Sequence, residues 1–268
     1  MPELPEVETV VRGLRKRVLN RKILRVKVKT FRIVRPEKPL KIQRQLKGKT
    51  ILTIDRIGKW IGFRLSPSGC LWAHLGMTGR FLWNDRDKYN RAEFHLDGAN
   101  ILYYSDMRMF GKLIFDGVGG ESPPRVTLGP DPIIDSIDIE RLCEILHKRS
   151  VAIKDVLLDQ RVVAGIGNIY ASEILFDAKL HPLRAANSLN IKECEVLAQC
   201  IISCLESAIE YGGTTISDFL TLEGSPGGFE KHLKVYGKQG LPCPICSTPL
   251  ERYVLHSRSG IFCPSCQS

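Results

Sequence analysis

Residues 243–266, CPICSTPLERYVLHSRSGIFCPSC, contain the pattern that does most to define the fold. Two Cys-X-X-Cys pairs, Cys243 with Cys246 and Cys263 with Cys266, are separated by sixteen residues. That spacing is typical of zinc ribbons, in which four thiolates surround one ion. Four cysteine ligands leave no coordination position for water, so we expect one structural Zn²⁺ that performs no chemistry. Two separate redox dithiols are the alternative, which the ribbon spacing disfavours.

Cysteine usage and hydropathy bear on the compartment. The chain has nine cysteines, an odd number that argues against a disulfide framework. Its first residues lack the basic and apolar regions of a signal peptide, and no apolar run approaches the roughly eighteen residues of a membrane span. We therefore expect a globular cytoplasmic protein without membrane association. The cysteines outside the ribbon lie in apolar or helical patterns and are expected in the core: Cys70, Cys143, Cys194, Cys200 and Cys204.

Helical periodicity precedes the ribbon. Apolar residues recur at three- and four-residue steps, which predicts helices over 139–147, 151–158, 168–176 and 191–211. Gly212 and Gly213 end the last of these, and a loop containing Gly and Pro then leads into the ribbon near Tyr236. We expect a helical domain over 134–222 and a final segment, 223–268, that holds this loop and the zinc ribbon.

The first half of the chain has a different pattern. Helical spacing of apolar residues predicts a helix from about 3 to 19. Short β-rich runs separated by turn residues then follow at 23–28, 50–54, 60–65, 70–75, 92–96, 101–104 and 113–115. They predict an antiparallel sandwich or barrel over 1–133, ending in a stretch rich in Gly and Pro. The fold class is α+β multidomain: an N-terminal helix plus antiparallel β-sandwich, a helical domain and a C-terminal zinc ribbon.

The charge of the chain indicates the class of partner. Lys and Arg exceed Asp and Glu by enough to give a net charge of +10. No acidic residue lies between Glu8 and Glu37, a stretch that contains eleven basic ones: Arg12, Arg15, Lys16, Arg17, Arg21, Lys22, Arg25, Lys27, Lys29, Arg32 and Arg35. Such a run favours a nucleic-acid partner, with a solvated surface face as the alternative.

The N-terminus contains a possible nucleophile. Removal of Met1 would leave Pro2 as a secondary amine beside Glu3 and Glu6. An α-amino group has an ordinary pKa of about 8, so a useful fraction is unprotonated at neutral pH and can attack an aldehydic carbon to form an iminium. Glu3 is near enough to supply a proton. The alternative is that these residues only cap a helix, and composition alone favours that alternative.

The opening Met1-Pro-Glu-Leu-Pro-Glu-Val-Glu-Thr-Val resembles the start of bacterial formamidopyrimidine-DNA glycosylases, which repair 8-oxoguanine and ring-opened purines. Further matches occur in the same order along essentially the whole chain: His74-Leu-Gly-Met-Thr-Gly, Asp106-Met-Arg-Met-Phe-Gly, Leu158-Asp-Gln, Gly165-Ile-Gly-Asn-Ile-Tyr-Ala-Ser-Glu, Gly212-Gly-Thr-Thr and the cysteine ribbon. The resemblance implies a helix-two-turn-helix element in the helical domain, a monomer, and damaged double-stranded DNA as partner.

The resemblance also implies catalytic roles. Pro2 matches the family's nucleophile and Glu3 its general acid, while Glu6 matches a glutamate that assists at the site. Lys59 matches a hairpin lysine that holds the phosphate next to the lesion; by itself it would be an exposed strand lysine. Together they imply a bifunctional enzyme that excises the base through a proline iminium and then cuts the strand by β,δ-elimination.

The remaining matches imply DNA contacts. Met77, Arg108 and Phe110 match the side chains that fill the space of an extruded base, a space that has to be filled because unstacking costs a few kcal/mol. Taken singly, Met77 and Phe110 would more often be core residues. Asn168 and Arg258, the last placed in the ribbon's hairpin turn, match residues that contact the backbone of the damaged strand. His74 precedes a turn and is either a phosphate contact or a satisfied polar residue. Asn168 is expected to supply an N-cap side chain after Gly165-Ile-Gly.

Three positions depart from the family's usual pattern, and three other functions stay open. Met109 replaces a common basic residue, which predicts a weaker phosphate contact, and Ser217 and Thr78 lie at positions that vary with lesion preference. An endonuclease VIII-type enzyme for oxidised pyrimidines is one alternative, although Leu4 disfavours it. The others are a non-catalytic zinc-ribbon DNA-binding module and a zinc-stabilised RNA-binding protein, for which we see no stacking motif.

Overall fold

A computed structural model describes residues 1–215, 221–222 and 224–268. The chain divides into two compact units: Met1–Val126 with Tyr211–Gly228, here called the N-terminal unit, and Thr127–Glu210 with Phe229–Ser268, here called the second unit. The division into 1–133, 134–222 and 223–268 stays a prediction. Within the described ranges, no helix has the length and apolarity needed to cross a membrane.

Among the described residues, the N-terminal unit contains two helices and eight strands. The helices are α1 (Leu4–Val18) and α2 (Pro39–Leu46). The strands are β1 (Ile23–Val28), β2 (Thr50–Ile57), β3 (Trp60–Ser66), β4 (Cys70–His74), β5 (Gly79–Trp83), β6 (Asn90–Leu96), β7 (Ile101–Asp106) and β8 (Lys112–Asp116). The predicted helix and all seven predicted strands are therefore confirmed, with ends that differ by a few residues.

Two antiparallel sheets enclose the core of this unit. One has the strand order β1-β6-β7-β5 and the other β2-β3-β4-β8. Phe63 from the second sheet meets Phe81 from the first edge to face, with ring centroids 5.5 Å apart. One apolar cluster combines both sheets with the buried sides of α1 and α2. The predicted antiparallel sandwich is confirmed.

Helix α2 and strand β5 are not predicted by the sequence pattern. Pro39 is the first residue of α2, where a backbone amide has no hydrogen-bond partner within the helix, so a proline is tolerated. Ile42 and Leu46 are spaced at a helical step and are buried. In β5, Phe81 and Leu82 are buried between half-exposed neighbours, a signal too short to stand out. Both elements are short, and short elements depend mostly on tertiary packing.

The second unit contains α3 (Ile139–His147), α4 (Ile153–Leu158), α5 (Asn168–Asp177), α6 (Ile191–Glu210) and the hairpin strands β9 (Glu251–Leu255) and β10 (Arg258–Phe262). Helix α5 is buried along nearly its whole length, as expected for a central helix that is apolar on all sides. Four of the five non-ribbon cysteines are buried, and Cys200 is half-buried. The predicted α+β multidomain fold is confirmed.

Candidate active site

The N-terminus of α1 is a buried polar site. Glu3 is the N-cap of the helix, and both Pro2 and Glu3 are buried. The Glu3 backbone amide donates to Oε2 of Glu6 at 2.7 Å, and the Thr214 amide donates to Oε1 of Glu6 at 2.7 Å. Both oxygens of one carboxylate are thus occupied by backbone amides. Capping and a functional role are therefore compatible, since Glu6 holds the backbone on which Glu3 sits.

Gly213 allows the 211–215 segment to reach this carboxylate. A Cβ on Gly213 would lie 2.7 Å from Oε1 of Glu6, and its φ of 79° is in the left-handed region. Only glycine fits both the backbone conformation and the space. Gly212 and Gly213 are predicted to end a helix, which the end of α6 at Glu210 confirms, but the approach of Gly213 to Glu6 depends on the fold.

Lys59 lies in the two-residue turn between β2 and β3. The turn is possible because Gly58 adopts a φ of 54°. Lys59 is only 7% exposed, so it is not the exposed strand lysine that its sequence context alone suggests. Arg56, also buried, donates to Gly58 O at 3.3 Å and forms an ion pair with Glu8 of α1 at 2.9 Å. This pair ties the hairpin to the helix that carries Pro2 and Glu3.

His74 ends β4 and is paired with Trp60 across the sheet, with ring centroids 4.9 Å apart. Its Nδ1 accepts a hydrogen bond from the Gly76 amide at 3.0 Å, so the proton of the neutral ring lies on Nε2. Burial, together with the positive charges of Lys59 and Lys112, lowers the pKa of His74 to about 4. The imidazole is neutral at pH 7 and offers one N–H donor.

The three residues expected to fill the space of an extruded base all lie on loops of the N-terminal unit. Met77 follows β4, and Arg108 and Phe110 follow β7. Met77 and Phe110 are 39% and 54% exposed, so neither is a core residue. The Arg108 guanidinium lies over the Phe110 ring, 4.7 Å from its centroid. Two large apolar side chains and a planar cation are thus presented to solvent.

Met109 has a structural role that its sequence context does not indicate. It is half-buried against the apolar core of the N-terminal unit and has a φ of 55°. Its side chain therefore anchors the loop that follows β7 on the apolar core, while its neighbours Arg108 and Phe110 are exposed. Thr78 donates a hydrogen bond to Asp106 at 2.6 Å. Ser217 lies outside the described residues.

Asn168 is the first residue of α5, and the N-cap is Gly167, so the expected N-cap role of the Asn168 side chain is wrong. Nδ2 of Asn168 instead donates to Ser259 O on β10 at 3.0 Å. The loop before it is held by Gln160, whose side chain accepts from the Gly165 amide at 2.9 Å and donates to Ile166 O at 2.8 Å.

Arg258 is exposed and begins β10, where it pairs with Leu255. The hairpin turn consists of His256 and Ser257, with φ values of 46° and 64°. Two consecutive left-handed residues define a tight turn of the kind that matches strand twist. The placement of Arg258 in the turn itself is therefore wrong, because it is the first strand residue after the turn.

The four ribbon cysteines form a metal site. Their sulfur atoms all lie within 4.8 Å of one another. Cys243 and Cys266 have sulfurs 3.9 Å apart, and those of Cys246 and Cys263 are 3.4 Å apart. Zn–S bonds of about 2.3 Å in a tetrahedron place sulfurs roughly 3.8 Å apart. The thiols therefore fit one structural zinc ion, and all four belong to the second unit.

The basic run between Glu8 and Glu37 is partly neutralised by the fold. Lys29 lies 2.7 Å from Glu93, and Arg21 lies 3.4 Å from Asp97. Arg12 pairs with Glu8 at 3.0 Å. These partners are distant in sequence or just before the run, so the run does not form one uncompensated surface. Part of the positive charge of the run is therefore compensated within the N-terminal unit.

Comparison with known proteins identifies all three parts of the chain. Residues 1–113 match the formamidopyrimidine-DNA glycosylase N-terminal domain, residues 128–220 the formamidopyrimidine-DNA glycosylase H2TH domain, and residues 240–268 the zinc finger found in FPG and IleRS.

Similar proteins and structures agree with these matches. The chain is 42% identical to the formamidopyrimidine-DNA glycosylase of Symbiobacterium thermophilum, covering 100% of this chain and 89% of the relative. It is 40% identical to the crystallised MutM (FPG) protein of Thermus thermophilus, with a TM-score of 0.91 and coverage of 99% and 98%. A Lactococcus lactis FPG mutant bound to Fapy-dG DNA is 34% identical, with a TM-score of 0.91 and complete coverage of both chains at 100%. The chain belongs to the formamidopyrimidine-DNA glycosylase family of zinc-finger DNA-repair enzymes.

Proposed function

We propose that this enzyme removes oxidised purines, 8-oxoguanine and formamidopyrimidines, from duplex DNA and then cleaves the strand at the abasic site. The observation that carries the proposal is the N-terminus of α1, where Pro2 and Glu3 are adjacent and Glu6 fixes the Glu3 backbone at 2.7 Å. The solved Lactococcus lactis complexes with Fapy-dG DNA and with abasic-site DNA support the substrate class. Because its substrate is chromosomal DNA, the proposed site of action is the cytoplasm of a bacterial cell.

The proposed reaction begins after removal of Met1. Met1 is 52% exposed, so its loss opens the Pro2 nitrogen toward solvent. The unprotonated amine attacks C1′ of the damaged nucleotide, and the bond from C1′ to the base breaks with its electron pair leaving on the base, which takes up the proton lost by the amine. The nitrogen lone pair then forms the double bond to C1′ as the bond from C1′ to O4′ breaks, and Glu3 donates the proton that O4′ takes up. The product is an iminium between Pro2 and the opened sugar.

Strand cleavage follows from the same intermediate. The iminium withdraws electrons from the sugar, so a C2′ proton is lost and the 3′ phosphate leaves in the β-elimination. A second proton loss expels the 5′ phosphate in the δ-elimination and leaves a one-nucleotide gap. Lys59, buried in its hairpin turn, supplies a positive charge to the phosphate beside the reacting sugar.

The remaining site residues bind the DNA in this proposal. Arg258 is exposed and pairs with a phosphate of the damaged strand. Nδ2 of Asn168 has two hydrogens: one is donated to Ser259 O, and the other is donated to the phosphate. His74, neutral at pH 7, donates a hydrogen bond from Nε2 to the DNA backbone. Met77, Arg108 and Phe110 fill the space that the extruded base leaves. One structural zinc ion holds the hairpin that carries Arg258.

Borohydride trapping tests the proposal. The purified protein is incubated with a duplex that carries one 8-oxoguanine, and sodium borohydride reduces the iminium to a stable amine. We expect a covalent complex, with mass spectrometry locating the adduct on Pro2. A duplex with a preformed abasic site is trapped in parallel, because it needs no base excision.

Pro2→Gly is the matched variant, since it keeps an N-terminal amine but loses the secondary amine. We expect loss of most trapping and strand cleavage while duplex binding survives. An adduct on another residue, or normal turnover by Pro2→Gly, would show that Pro2 is not the nucleophile. Trapping on oxidised pyrimidines in preference to 8-oxoguanine would overturn the substrate class while leaving the nucleophile intact.

A further inference from the structure

The two loops that carry Met77, Arg108 and Phe110 touch through their backbones. A Cβ on Gly76 would lie 2.7 Å from the Gly111 amide nitrogen and 2.7 Å from the carbonyl carbon of Phe110. Gly76 also has a φ of 61°, so glycine is required there twice over. The two loops therefore approach each other more closely than any side chain at position 76 would allow.

One buried carboxylate joins the two loops. Asp106, which has no exposed surface, lies at the end of β7. Its Oδ1 accepts a hydrogen bond from the Thr78 hydroxyl at 2.6 Å, and its Oδ2 accepts from the Gly111 amide at 2.8 Å. Thr78 belongs to the Met77 loop and Gly111 to the Arg108–Phe110 loop, so each carboxylate oxygen holds a different loop.

The Thr78 hydroxyl extends this network to Arg108. Its oxygen accepts from the Arg108 backbone amide at 3.0 Å while its hydrogen goes to Asp106. A threonine hydroxyl has one donor and two acceptor positions, so both bonds are made at once. The backbone of the residue that presents the guanidinium is therefore fixed by the loop that presents Met77.

We propose that Asp106 and Thr78 are positioning residues that hold the two loops together as one rigid unit. This unit, which presents Met77, Arg108 and Phe110, is here called the wedge. This inference rests on the proposed function, in which Met77, Arg108 and Phe110 replace an extruded base. Three side chains on independent loops would each lose conformational freedom on entering the duplex, whereas loops already joined have lost most of it before binding. Met109 strengthens the arrangement, because it anchors the second loop on the apolar core.

The wedge has a consequence that a purely structural network lacks. It is needed where a base must be unstacked, and it is not needed at an abasic site in a single strand, where no base has to leave a stack. A loosened wedge should therefore slow excision from a duplex and spare cleavage of single-stranded abasic DNA. Displacement of a positioning group by about 1 Å can cost on the order of 100-fold in rate.

Thr78→Val tests this, because valine has nearly the shape of threonine and lacks the hydroxyl. We expect single-turnover excision of 8-oxoguanine from a duplex to fall by on the order of 10- to 100-fold, with cleavage of a single-stranded abasic substrate unchanged. Thr78→Ser retains the hydroxyl and should restore the duplex rate. Thr30→Val is the matched control, since among the described residues the hydrogen bond of the Thr30 hydroxyl is a local one, accepted from the Arg32 amide at 3.3 Å.

Fluorescence of 2-aminopurine placed beside the lesion reports unstacking directly, and Thr78→Val should slow its rise as much as it slows excision. Thr78→Ala adds no bulk and serves as the second variant if valine impairs folding. Equal loss on both substrates, or no loss on the duplex, would overturn the wedge. A parent enzyme that traps on neither substrate would instead overturn the proposed function, and the wedge with it.

Discussion

Two tight hairpins, one in each unit, present a candidate phosphate-binding cation, and they are stabilised in different ways. The β2–β3 turn holds Lys59, which is 7% exposed and belongs to a sheet packed on a large apolar core. The β9–β10 turn is followed by Arg258, which is exposed, in a ribbon whose apolar cluster is small: Phe176, Val235, Cys243, Leu250 and Cys263. The first hairpin depends on burial of apolar surface and the second on a metal ion.

Because the two cations differ in burial, we expect Lys59 to affect the rate of the reaction and Arg258 to affect the affinity for DNA. A buried cation acts through a low-dielectric environment, where charge stabilisation is strong and the side chain cannot relax into water. An exposed arginine gives affinity that salt screens and contributes little to the reacting centre. Metal removal, charge neutralisation and pH titration test this division, from the largest expected effect to the smallest.

Removal of zinc should have the largest effect. A structural zinc site contributes on the order of 10 kcal/mol to the folding of its module, so chelation or Cys246→Ser should unfold the ribbon and weaken duplex binding by about 100-fold as phosphate contacts are lost together. All three tryptophans, Trp60, Trp72 and Trp83, lie in the N-terminal unit. Tryptophan fluorescence should therefore stay unchanged while binding, measured by anisotropy, is lost. A fluorescence change that parallels the loss of binding would contradict independent stabilisation of the two hairpins.

Neutralising each cation in turn should separate rate from affinity. Lys59→Met should lower the single-turnover cleavage rate by about 100-fold with little change in duplex affinity, because a charge near the reacting phosphate is lost. Arg258→Met should weaken binding about tenfold and reduce the slope of log affinity against log salt by about 0.9, with the rate at saturating enzyme preserved. If the two variants show the same pattern, the division between the hairpins is wrong.

The ion pair between Arg56 and Glu8 should matter more than an exposed pair. Arg56→Met leaves Glu8 largely buried without its main partner and should lower the unfolding free energy of the N-terminal unit by about 3 kcal/mol. Lys148→Met removes an exposed helical pair with Glu144 and should cost less than about 0.5 kcal/mol. Urea denaturation followed by tryptophan fluorescence measures the first, and helical circular dichroism measures the second.

This stability depends on pH in a definite direction. Burial raises the pKa of Glu8, but the hydrogen bond and charge of Arg56, aided by Arg12, outweigh it and hold the pKa below its ordinary value of 4.5. The pair therefore contributes fully above pH 4.5 and loses its contribution as the pH falls further. The difference between the parent and Arg56→Met should shrink in that range. A constant difference down to the acid transition would argue against the ion pair.

The smallest change is expected in the titration of His74 above pH 6. Burial and the charges of Lys59 and Lys112 lower its pKa to about 4, from 6.5. The unfolded chain therefore binds more protons than the folded one between those values, and stability contributed by neutral His74 is lost as the pH falls through the window. An NMR titration of the histidine ring resonances, with that of His74 assigned by comparison with His74→Gln, should show no protonation of His74 above pH 6. Titration near 6.5 would mean that His74 is solvated, unlike its hairpin neighbour Lys59.

Helices and strands could be predicted from the sequence where the signal for them lies within the segment itself. The helix over 139–147 and the strand over 23–28 were predicted to the residue, since periodicity is contained within each segment. The short α2 and β5 were missed because their stability comes from packing. At the candidate site, motif resemblance singled out Lys59, Met77, Arg108 and Phe110, whose roles stay predictions. Neither the burial of Lys59 nor the Asp106 network that joins Thr78 to Gly111 has a signature in local sequence.

The sequence by itself determined the zinc ligands, the order of the helices and strands other than α2 and β5, and the family, because each of these depends on residue types at short, fixed spacings. Only the tertiary structure decided which charges are neutralised and which backbone amides reach which carboxylates. Glu6 accepts a hydrogen bond from Thr214, which lies 208 residues along the chain, and Glu93 neutralises Lys29 at 2.7 Å. The physical reason is that hydrogen bonds and ion pairs act over a few ångströms of space, without regard to the length of chain between the partners.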